Sequence, residues 1–382
     1  MNKTVGATLL IAGCCIGAGM LGIPVVTGPA GFFPSVTFFV IAWLYMMTTG
    51  LLFAKLALSF DLPEVNLLSM AKATLGLSGK IIAWVLFAFL FYALMTAYVI
   101  ATSVLVSEAT GVGFLLSSLL IVAGLYAVIA RGVTLVDALN RYLMAGMILF
   151  YLLLVGAGFS SIQLDRLMRA DFSLAWVSLP ILVISFGYHN LIGSLVSYLN
   201  RDAKALYKAI VIGSFIPLLI YVVWEFVIIG IVPNHNMMQW ITAEKKGELV
   251  TQVLADTVGS HSVLYFSQGF AFFAIATSFL PVALSFGDFL KDGFQLLGKK
   301  LSSRHSALLV LVPPLFLSIS DPSLFLDALD FAGGFCAVTL FGILPTLMAF
   351  KRKLVKSLYL LPIFLMSCLI FAIEFLHQLG VL

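Results

Sequence analysis

The stretch GCCIGAGMLGIP, residues Gly13–Pro24, lies inside an apolar run that begins close to the N-terminus. A run of this kind predicts a membrane-spanning helix. The stretch nevertheless holds four glycines and ends on a proline. Inside a helix each glycine costs about 1 kcal/mol relative to alanine, and a proline costs about 3 kcal/mol. The sequence therefore predicts that the first spanning helix is interrupted within the membrane.

The composition of the whole chain indicates a membrane protein. Its 382 residues are 62% hydrophobic and 10% charged, and the mean hydropathy is +1.13. A soluble domain has roughly 25% charged residues, so lipid must replace water over most of this surface. The apolar runs are long and continuous, as in Ile81–Tyr98 and Ile210–Trp224, whereas barrel strands alternate over about ten residues. We therefore expect an all-α membrane protein.

Eleven apolar segments reach or approach the length of a span, about 20 residues. They are Thr4–Gly28, Ser35–Phe60, Ile81–Glu108, Phe114–Ala130, Tyr142–Ser160, Leu174–Tyr198, Ala209–Val232, Val263–Phe289, Ser306–Ser320, Leu324–Phe350 and Leu358–Leu376. With the N-terminus in the cytoplasm, all but four of the 21 basic residues fall at inner ends or loops; the exceptions are Arg166, Arg169, Lys245 and Lys246. This positive-inside bias predicts a cytoplasmic N-terminus and a periplasmic C-terminus.

The four cysteines lie in apolar runs without metal-ligand spacing, which predicts small buried side chains rather than a metal site. Ile11–Cys14 resembles a lipoprotein cleavage site. The apolar run continues well past Cys14, so we expect an uncleaved first span.

The sixth segment carries a second interruption, SFGYHN at Ser185–Asn190. Segments one and six are corresponding members of two five-span halves, and matching interruptions are the best sequence indication of a transporter's binding site. A broken helix frees backbone N–H and C=O groups, which must line a cavity or contact a ligand. Such groups suit the zwitterionic head of an amino acid. Close helix packing could explain Gly13 and Gly17 alone, but not a histidine and an asparagine at membrane depth.

Four stretches resemble one family in the same order along the chain. They are IGAGMLGIP (Ile16–Pro24), YALMTAY (Tyr92–Tyr98), SFGYHNLIGSLVSYLNRD (Ser185–Asp202) and ATSFLPVALSFGDFL (Ala276–Leu290). They resemble the hydroxy/aromatic amino acid permease family, specifically its tyrosine and tryptophan permeases. The resemblance implies eleven transmembrane helices with the inverted five-plus-five repeat of the amino acid/polyamine/organocation superfamily and broken helices 1 and 6. On this interpretation one domain covers 1–382, with repeats at about 4–160 and 174–350 and an extra helix at about 358–376.

The resemblance also implies which residues contact the substrate. The first break would offer backbone groups to the substrate carboxylate, and the second would form the opposite wall. The residues so assigned are Gly17, Ala18, Gly19 and Met20 in the first break, and Ser185, Phe186, Gly187, Tyr188 and His189 in the second. Tyr98 in the third span could point its hydroxyl into the same space or serve in packing, and the sequence leaves both open.

Candidate ion-coupling residues follow from position and chemistry. Thr277 and Ser278 match the place where sodium-coupled relatives in the superfamily bind their ion, but such hydroxyls also bond their own helix. Glu225 departs from the glutamine that tyrosine and tryptophan permeases tend to carry there. A carboxylate inside a span must be paired or protonated, so Glu225 is a candidate for proton coupling unless it lies near the outer interface. Asp327 and Asp330 are expected to be solvated acids at a helix start.

Together these observations predict a symporter that imports an aromatic amino acid, tyrosine before tryptophan, coupled to protons across a bacterial inner membrane. The alternatives are a sodium-coupled neutral amino acid transporter, a tryptophan-preferring permease and an uncoupled channel. An enzyme is disfavoured because no nucleophile–base pair is evident. We expect no cofactor, no metal and no nucleic-acid partner. The sequence leaves open the preferred substrate, the coupling ion, the stoichiometry, the affinity and the oligomeric state.

Overall fold

The computed structural model describes residues 3–60, 66–131, 133–232, 237–257, 260–296 and 300–381, and these ranges contain helices, turns and connecting segments but no strand. Nine helices within them are long and apolar enough to cross a membrane, and one bent helix pair makes a tenth. The shorter apolar helix Phe114–Ile129 matches the remaining predicted segment. The expected all-α membrane protein is therefore confirmed.

The helices are numbered as spans in chain order, and the two halves of a broken span are called a and b. They are span 1a (Lys3–Cys15), span 1b (Gly19–Thr27), span 2 (Phe32–Leu58), span 3 (Leu67–Thr110), span 4 (Phe114–Ile129), span 5 (Val133–Phe159), span 6a (Leu179–Ser185), span 6b (His189–Tyr198), span 7 (Ala203–Ile231), span 8 (His261–Leu296), span 9 (Ser303–Ser320), span 10 (Leu324–Lys351) and span 11 (Ser357–Gln378). The segment between spans 7 and 8 contributes two short helices, Met237–Lys245 and Val250–Thr257.

Span 3 begins earlier than the sequence predicted. Its start is fixed by a capping box in which Asn66 and Ser69 bond each other's backbone N–H groups. Gly76 then adopts φ 81°, a left-handed conformation that suits glycine and kinks the chain. The first turns of this helix therefore form a separate segment before the apolar run that the sequence identified.

The packing of the spans obeys the symmetry of an inverted repeat. Span 1a packs on span 7, as span 6 packs on span 2; span 5 packs on span 8, as span 10 packs on span 3. Likewise span 3 contacts span 4, and span 8 contacts span 9. In each of these pairs of contacts, a span of one half is replaced by the span five places away in the other half. Because each half has five spans, the second half enters the membrane from the opposite side. The repeat limits given above stay a prediction.

One expectation about span 10 is wrong. Asp327 is exposed as predicted, but only 4% of Asp330 is exposed. Asp330 is buried because spans 6a and 11 both pack against the first half of span 10.

Candidate substrate site between two helix breaks

The first break separates span 1a from span 1b, whose axes are bent by 53°. The backbone N–H groups of Gly17 and Ala18 have no hydrogen-bond partner in the described part of the chain. A Cβ on Gly17 would lie 2.5 Å from the Ser278 Oγ, and one on Gly19 would overlap the side chain of Ser185. Glycine is therefore required here because spans 8 and 6 approach the backbone closely.

The second break lies at Phe186–Tyr188, between spans 6a and 6b. The Gly187 N–H still bonds the Ile184 carbonyl at 2.9 Å. The Gly187 carbonyl accepts only a weak bond from the Cys14 thiol at 3.4 Å. Among the described helices only span 1 is bent by more than 40° at its break. Both predicted interruptions are thus present, and the second leaves the helix axis straighter.

Tyr221 of span 7 joins the two breaks. Its hydroxyl lies 2.5 Å from the Cys15 carbonyl oxygen and 2.8 Å from the Ser185 carbonyl oxygen. These residues end spans 1a and 6a, so their carbonyls have lost their partners in the helix. The single hydroxyl proton is shared between them, and the Tyr221 ring is fully buried.

Trp224, one turn further along span 7, supports the first break in a different way. Pro24 has no N–H, so the carbonyl of Met20, four residues earlier, cannot form its helical bond. The Trp224 indole N–H donates to that carbonyl at 2.9 Å. Span 1b can therefore carry a proline while its freed carbonyl remains satisfied.

Span 8 and span 3 complete the surroundings of the first break. The Ser278 hydroxyl donates to the Ile16 carbonyl at 3.0 Å. The Thr277 hydroxyl donates to the Ala274 carbonyl of its own helix at 2.9 Å. The Tyr98 hydroxyl lies 3.8 Å from where a Gly17 Cβ would stand, and its ring is 5.5 Å from that of Phe279 on span 8.

Two cavities meet beside the breaks, at Cys14 and Asn190, and the predicted first-break residues Gly17, Ala18, Gly19 and Met20 line neither of them. The larger, about 440 Å³, lies between spans 1a, 5, 6b and 8, and Thr277 and Ser278 line it. The smaller, about 60 Å³, is lined by Tyr98 and Gly187, and Cys14 and Asn190 line both. The apolar side of the smaller cavity, called here the phenylalanine wall, comes mainly from spans 3 and 10. It consists of Phe87, Leu90, Phe91, Leu94 and Phe341.

Access to the breaks comes from the end of the bundle where span 1a begins. A third cavity of about 530 Å³ shares Asn140, Pro281 and Ser285 with the larger one and extends to Lys291 near the end of span 8. At the opposite end every residue of span 1b is buried. There the Trp240 ring covers Gly28, where a Cβ would lie 2.7 Å from it. The structure is thus open at one end and closed at the other.

The structure does not bring all predicted residues of the second break to a cavity wall. Phe186 is fully buried with its ring 5.1 Å from that of Tyr221. The Tyr188 hydroxyl donates to the Met46 carbonyl at 3.1 Å. His189 stacks between Tyr188 and Phe341, and its Nε2 lies 2.9 Å from the Thr49 hydroxyl. Gly187 is the residue of this group that lines the smaller cavity.

Glu225 lies beside the end of span 1b. It is fully buried, and its Oε1 is 2.5 Å from the Thr27 hydroxyl. Its Oε2 has no partner among the residues that the structure describes. The same Thr27 hydroxyl is 2.7 Å from the Ile23 carbonyl.

Sequence reasoning missed Tyr221, Trp224 and the phenylalanine wall. The signal for the first two was present, because Tyr221, Trp224 and Glu225 share one helix face at spacings of three and four. Phe87 and Phe91 show the same spacing of four, which also occurs in ordinary packing faces.

These features define a class: a multi-pass membrane transporter with an inverted repeat, two broken helices and cavities beside the breaks. Within that class, the chain belongs to the tryptophan/tyrosine permease family, whose model matches residues 1–375.

Similar proteins agree with this assignment. The tyrosine-specific transport system 2 of Haemophilus influenzae is 29% identical over 92% of this chain and 89% of its own length. The tryptophan-specific transport protein of the same organism is 30% identical over 90% of this chain and 86% of its own length. A crystal structure of the Eremococcus coleocola manganese transporter, in complex with an aromatic bis-isothiourea substituted compound, shares the fold. It covers 97% of this chain and 85% of its own, with a TM-score of 0.61 and 14% identity.

Proposed function

We propose that the protein is a secondary active importer of an aromatic amino acid, tyrosine before tryptophan, coupled to protons across a bacterial inner membrane. The observation that carries this proposal is the pair of backbone N–H groups at Gly17 and Ala18 that have no partner among the described residues. They follow Cys14, whose thiol contacts the Gly187 carbonyl of the second break. Relatives named for tyrosine and for tryptophan transport match at 29% and 30% identity, so both substrates belong in any test.

The substrate carboxylate would bind the N–H groups of Gly17 and Ala18, at the start of span 1b. Unpaired N–H groups at a helix start attract anions. The ammonium group would bind the Gly187 carbonyl, because the carbonyls of Cys15 and Ser185 already accept from Tyr221. The Cys14 thiol at 3.4 Å is a weak donor that an ammonium group can displace.

The aromatic ring would rest against the phenylalanine wall from spans 3 and 10 rather than against Phe186. The cavity beside that wall holds about 60 Å³ and joins the larger one at Cys14 and Asn190. Tyrosine ranks ahead of tryptophan because its ring is the smaller of the two in this narrow space. The Tyr98 hydroxyl would face the backbone end of the substrate.

Two observations support protons over sodium. Ser278 bonds the Ile16 carbonyl, and Thr277 bonds its own helix. Both hydroxyl protons therefore already have acceptors within the protein, and no ion is needed to satisfy either side chain. Glu225 supplies a proton site instead. Thr27 has one hydroxyl proton, which it can give to Ile23 while a protonated Glu225 donates to the Thr27 oxygen. With Glu225 neutral, each of the two short contacts has a proton of its own.

We further propose that the open end of the bundle faces the cytoplasm, with the N-terminus inside and the C-terminus in the periplasm. Rocking of one group of spans against the rest would close this end and open the other. Cysteine-accessibility labelling of an introduced Ser303→Cys in intact cells checks this orientation, because labelling by an impermeant reagent would contradict it.

The test is uptake of labelled tyrosine, tryptophan and phenylalanine into proteoliposomes with an imposed proton gradient. We expect tyrosine to accumulate above its external level, to do so without sodium, and to lose accumulation when the gradient is collapsed. Glu225→Gln should still exchange internal for external substrate but should not accumulate it. Loss of uptake when choline replaces sodium would favour sodium coupling, and uptake that never exceeds the external level would favour a channel.

A further inference from the structure

Two acids other than Glu225 are buried where span 10 begins and span 11 ends. Asp330 is 4% exposed and Glu374 is 0% exposed. Glu374 faces Gly334, which lies one turn after Asp330. A Cβ on Gly334 would stand 2.5 Å from the Glu374 Cβ and Cγ, so the two spans are in close contact at this level.

Each carboxyl has one oxygen in use and one without a partner. Glu374 Oε1 accepts from the Gln378 side chain at 2.9 Å, and Asp330 accepts from the backbone N–H of Ile181 in span 6a. Asp330 Oδ1 and Glu374 Oε2 are buried and have no hydrogen-bond partner within the described ranges. A buried oxygen left unpaired costs about 1–3 kcal/mol, and more if it is charged.

The charged groups around this pair do not neutralise it. Among the charged neighbours, Glu374 has the largest electrostatic influence on Asp330. Glu244 of the short helix Met237–Lys245 follows, and then Asp327. Positive charge reaches these outer neighbours instead, because Lys245 acts on Glu244 and His377 acts on Asp327. Two ionised carboxylates would therefore be buried at one level of the bundle, with no ion pair to either of them among the described residues.

We propose that Asp330 and Glu374 bind one shared proton and form a protonation site separate from Glu225. One proton converts the pair into an O–H···O bond that satisfies both unpaired oxygens and leaves a single buried charge. This charge is held by the Ile181 N–H and the Gln378 amide. This bond joins span 10 to span 11, and the bond from the Ile181 N–H to Asp330 ties span 6a to the same pair. Loss of the proton would place two like charges together, and repulsion would loosen this contact.

Infrared difference spectroscopy of the purified full-length protein tests the shared proton without relying on transport. Raising the pH from mildly acidic to alkaline should remove a protonated carboxyl band in the wild type. Asp330→Asn and Glu374→Gln should each abolish the same band, because either amide supplies the N–H donor that the remaining carboxylate needs. The double variant should lose nothing more. Glu225→Gln should remove a different band, and the exposed Asp321→Asn should remove none.

Separate bands lost additively in the two single variants would overturn the proposal, as would bands unchanged in both. Labelling of the wild type with dicyclohexylcarbodiimide, which attacks protonated carboxyls in apolar surroundings, gives a second measurement that needs no variant. Peptide mapping should place the label on Asp330 or Glu374 near neutral pH and not at alkaline pH. Absence of label on both residues, under conditions that modify Glu225, would contradict the shared proton.

Discussion

The Trp224 indole N–H donates to the Met20 carbonyl at 2.9 Å, replacing the helical bond that Pro24 cannot make. This bond links span 7 to span 1b, beside the contact between Glu225 and Thr27. Span 7 thereby contributes to the shape of span 1, although the two lie about 200 residues apart in the chain.

Trp224→Phe should destabilise the protein by about 1–3 kcal/mol, because the buried Met20 carbonyl would lose the indole donor. Thermal unfolding in detergent measures the change. Trp176→Phe is the matched control, since Trp176 is 45% exposed and packs its ring against Phe38. Equal melting temperatures for Trp224→Phe and the wild type would show that the carbonyl finds another partner.

Tyr221→Phe should lower the initial rate of uptake by about tenfold or more. The change leaves the Cys15 and Ser185 carbonyls without their common donor, so the two breaks lose their fixed distance; tenfold corresponds to about 1.4 kcal/mol. Tyr151→Phe is the control, because it removes a comparable bond to the Ile220 carbonyl of the same span at 3.1 Å. A similar loss in both variants would mean that Tyr221 acts only through packing.

Gly17→Ala should abolish uptake while leaving the protein folded and monodisperse. The added methyl group would lie 2.5 Å from the Ser278 hydroxyl and 3.1 Å from its Cβ, so span 8 must shift away from the break. Gly124→Ala serves as the control, since a Cβ there meets no atom within 4 Å. Wild-type uptake by Gly17→Ala would contradict this prediction, because it would show that span 8 can move away from Gly17 without loss of transport.

The two breaks could be predicted from the sequence because glycine, proline and polar residues stand where an apolar helix would exclude them. The hydrogen-bond partners of the freed carbonyls could not be predicted from the sequence, because Tyr221 is one of many aromatic residues in the apolar helices. Only the packing of span 7 between the breaks gives its hydroxyl a role.

The error at Asp330 has a related cause. Three acidic residues near the start of span 10 look like a solvated helix start when only the local sequence is considered. The burial of Asp330 depends on spans 6a and 11, which pack against the first half of span 10, while Asp327 stays exposed. Tertiary burial of this kind has no local signal, and neither does the closure of the phenylalanine wall by span 10.

Glu244, on the short helix Met237–Lys245 outside the spans, should make the docking of that helix depend on pH. Burial raises the pKa of Glu244 to about 7, against the opposing influence of Lys245, and Asp327 raises it further. A carboxyl whose folded pKa lies above its unfolded value stabilises the folded state most at low pH, and that stabilisation is lost as the pH rises through about 7. Hydrogen exchange at residues 239–245, corrected for the intrinsic effect of pH, should therefore quicken between about pH 4.5, the ordinary pKa of a glutamate, and about pH 7. Glu244→Gln should remove this dependence, whereas Glu248→Gln should retain it because Glu248 pairs with Lys246 at 3.5 Å. Unchanged protection across this range in the wild type would show that the helix docks without regard to the charge of Glu244.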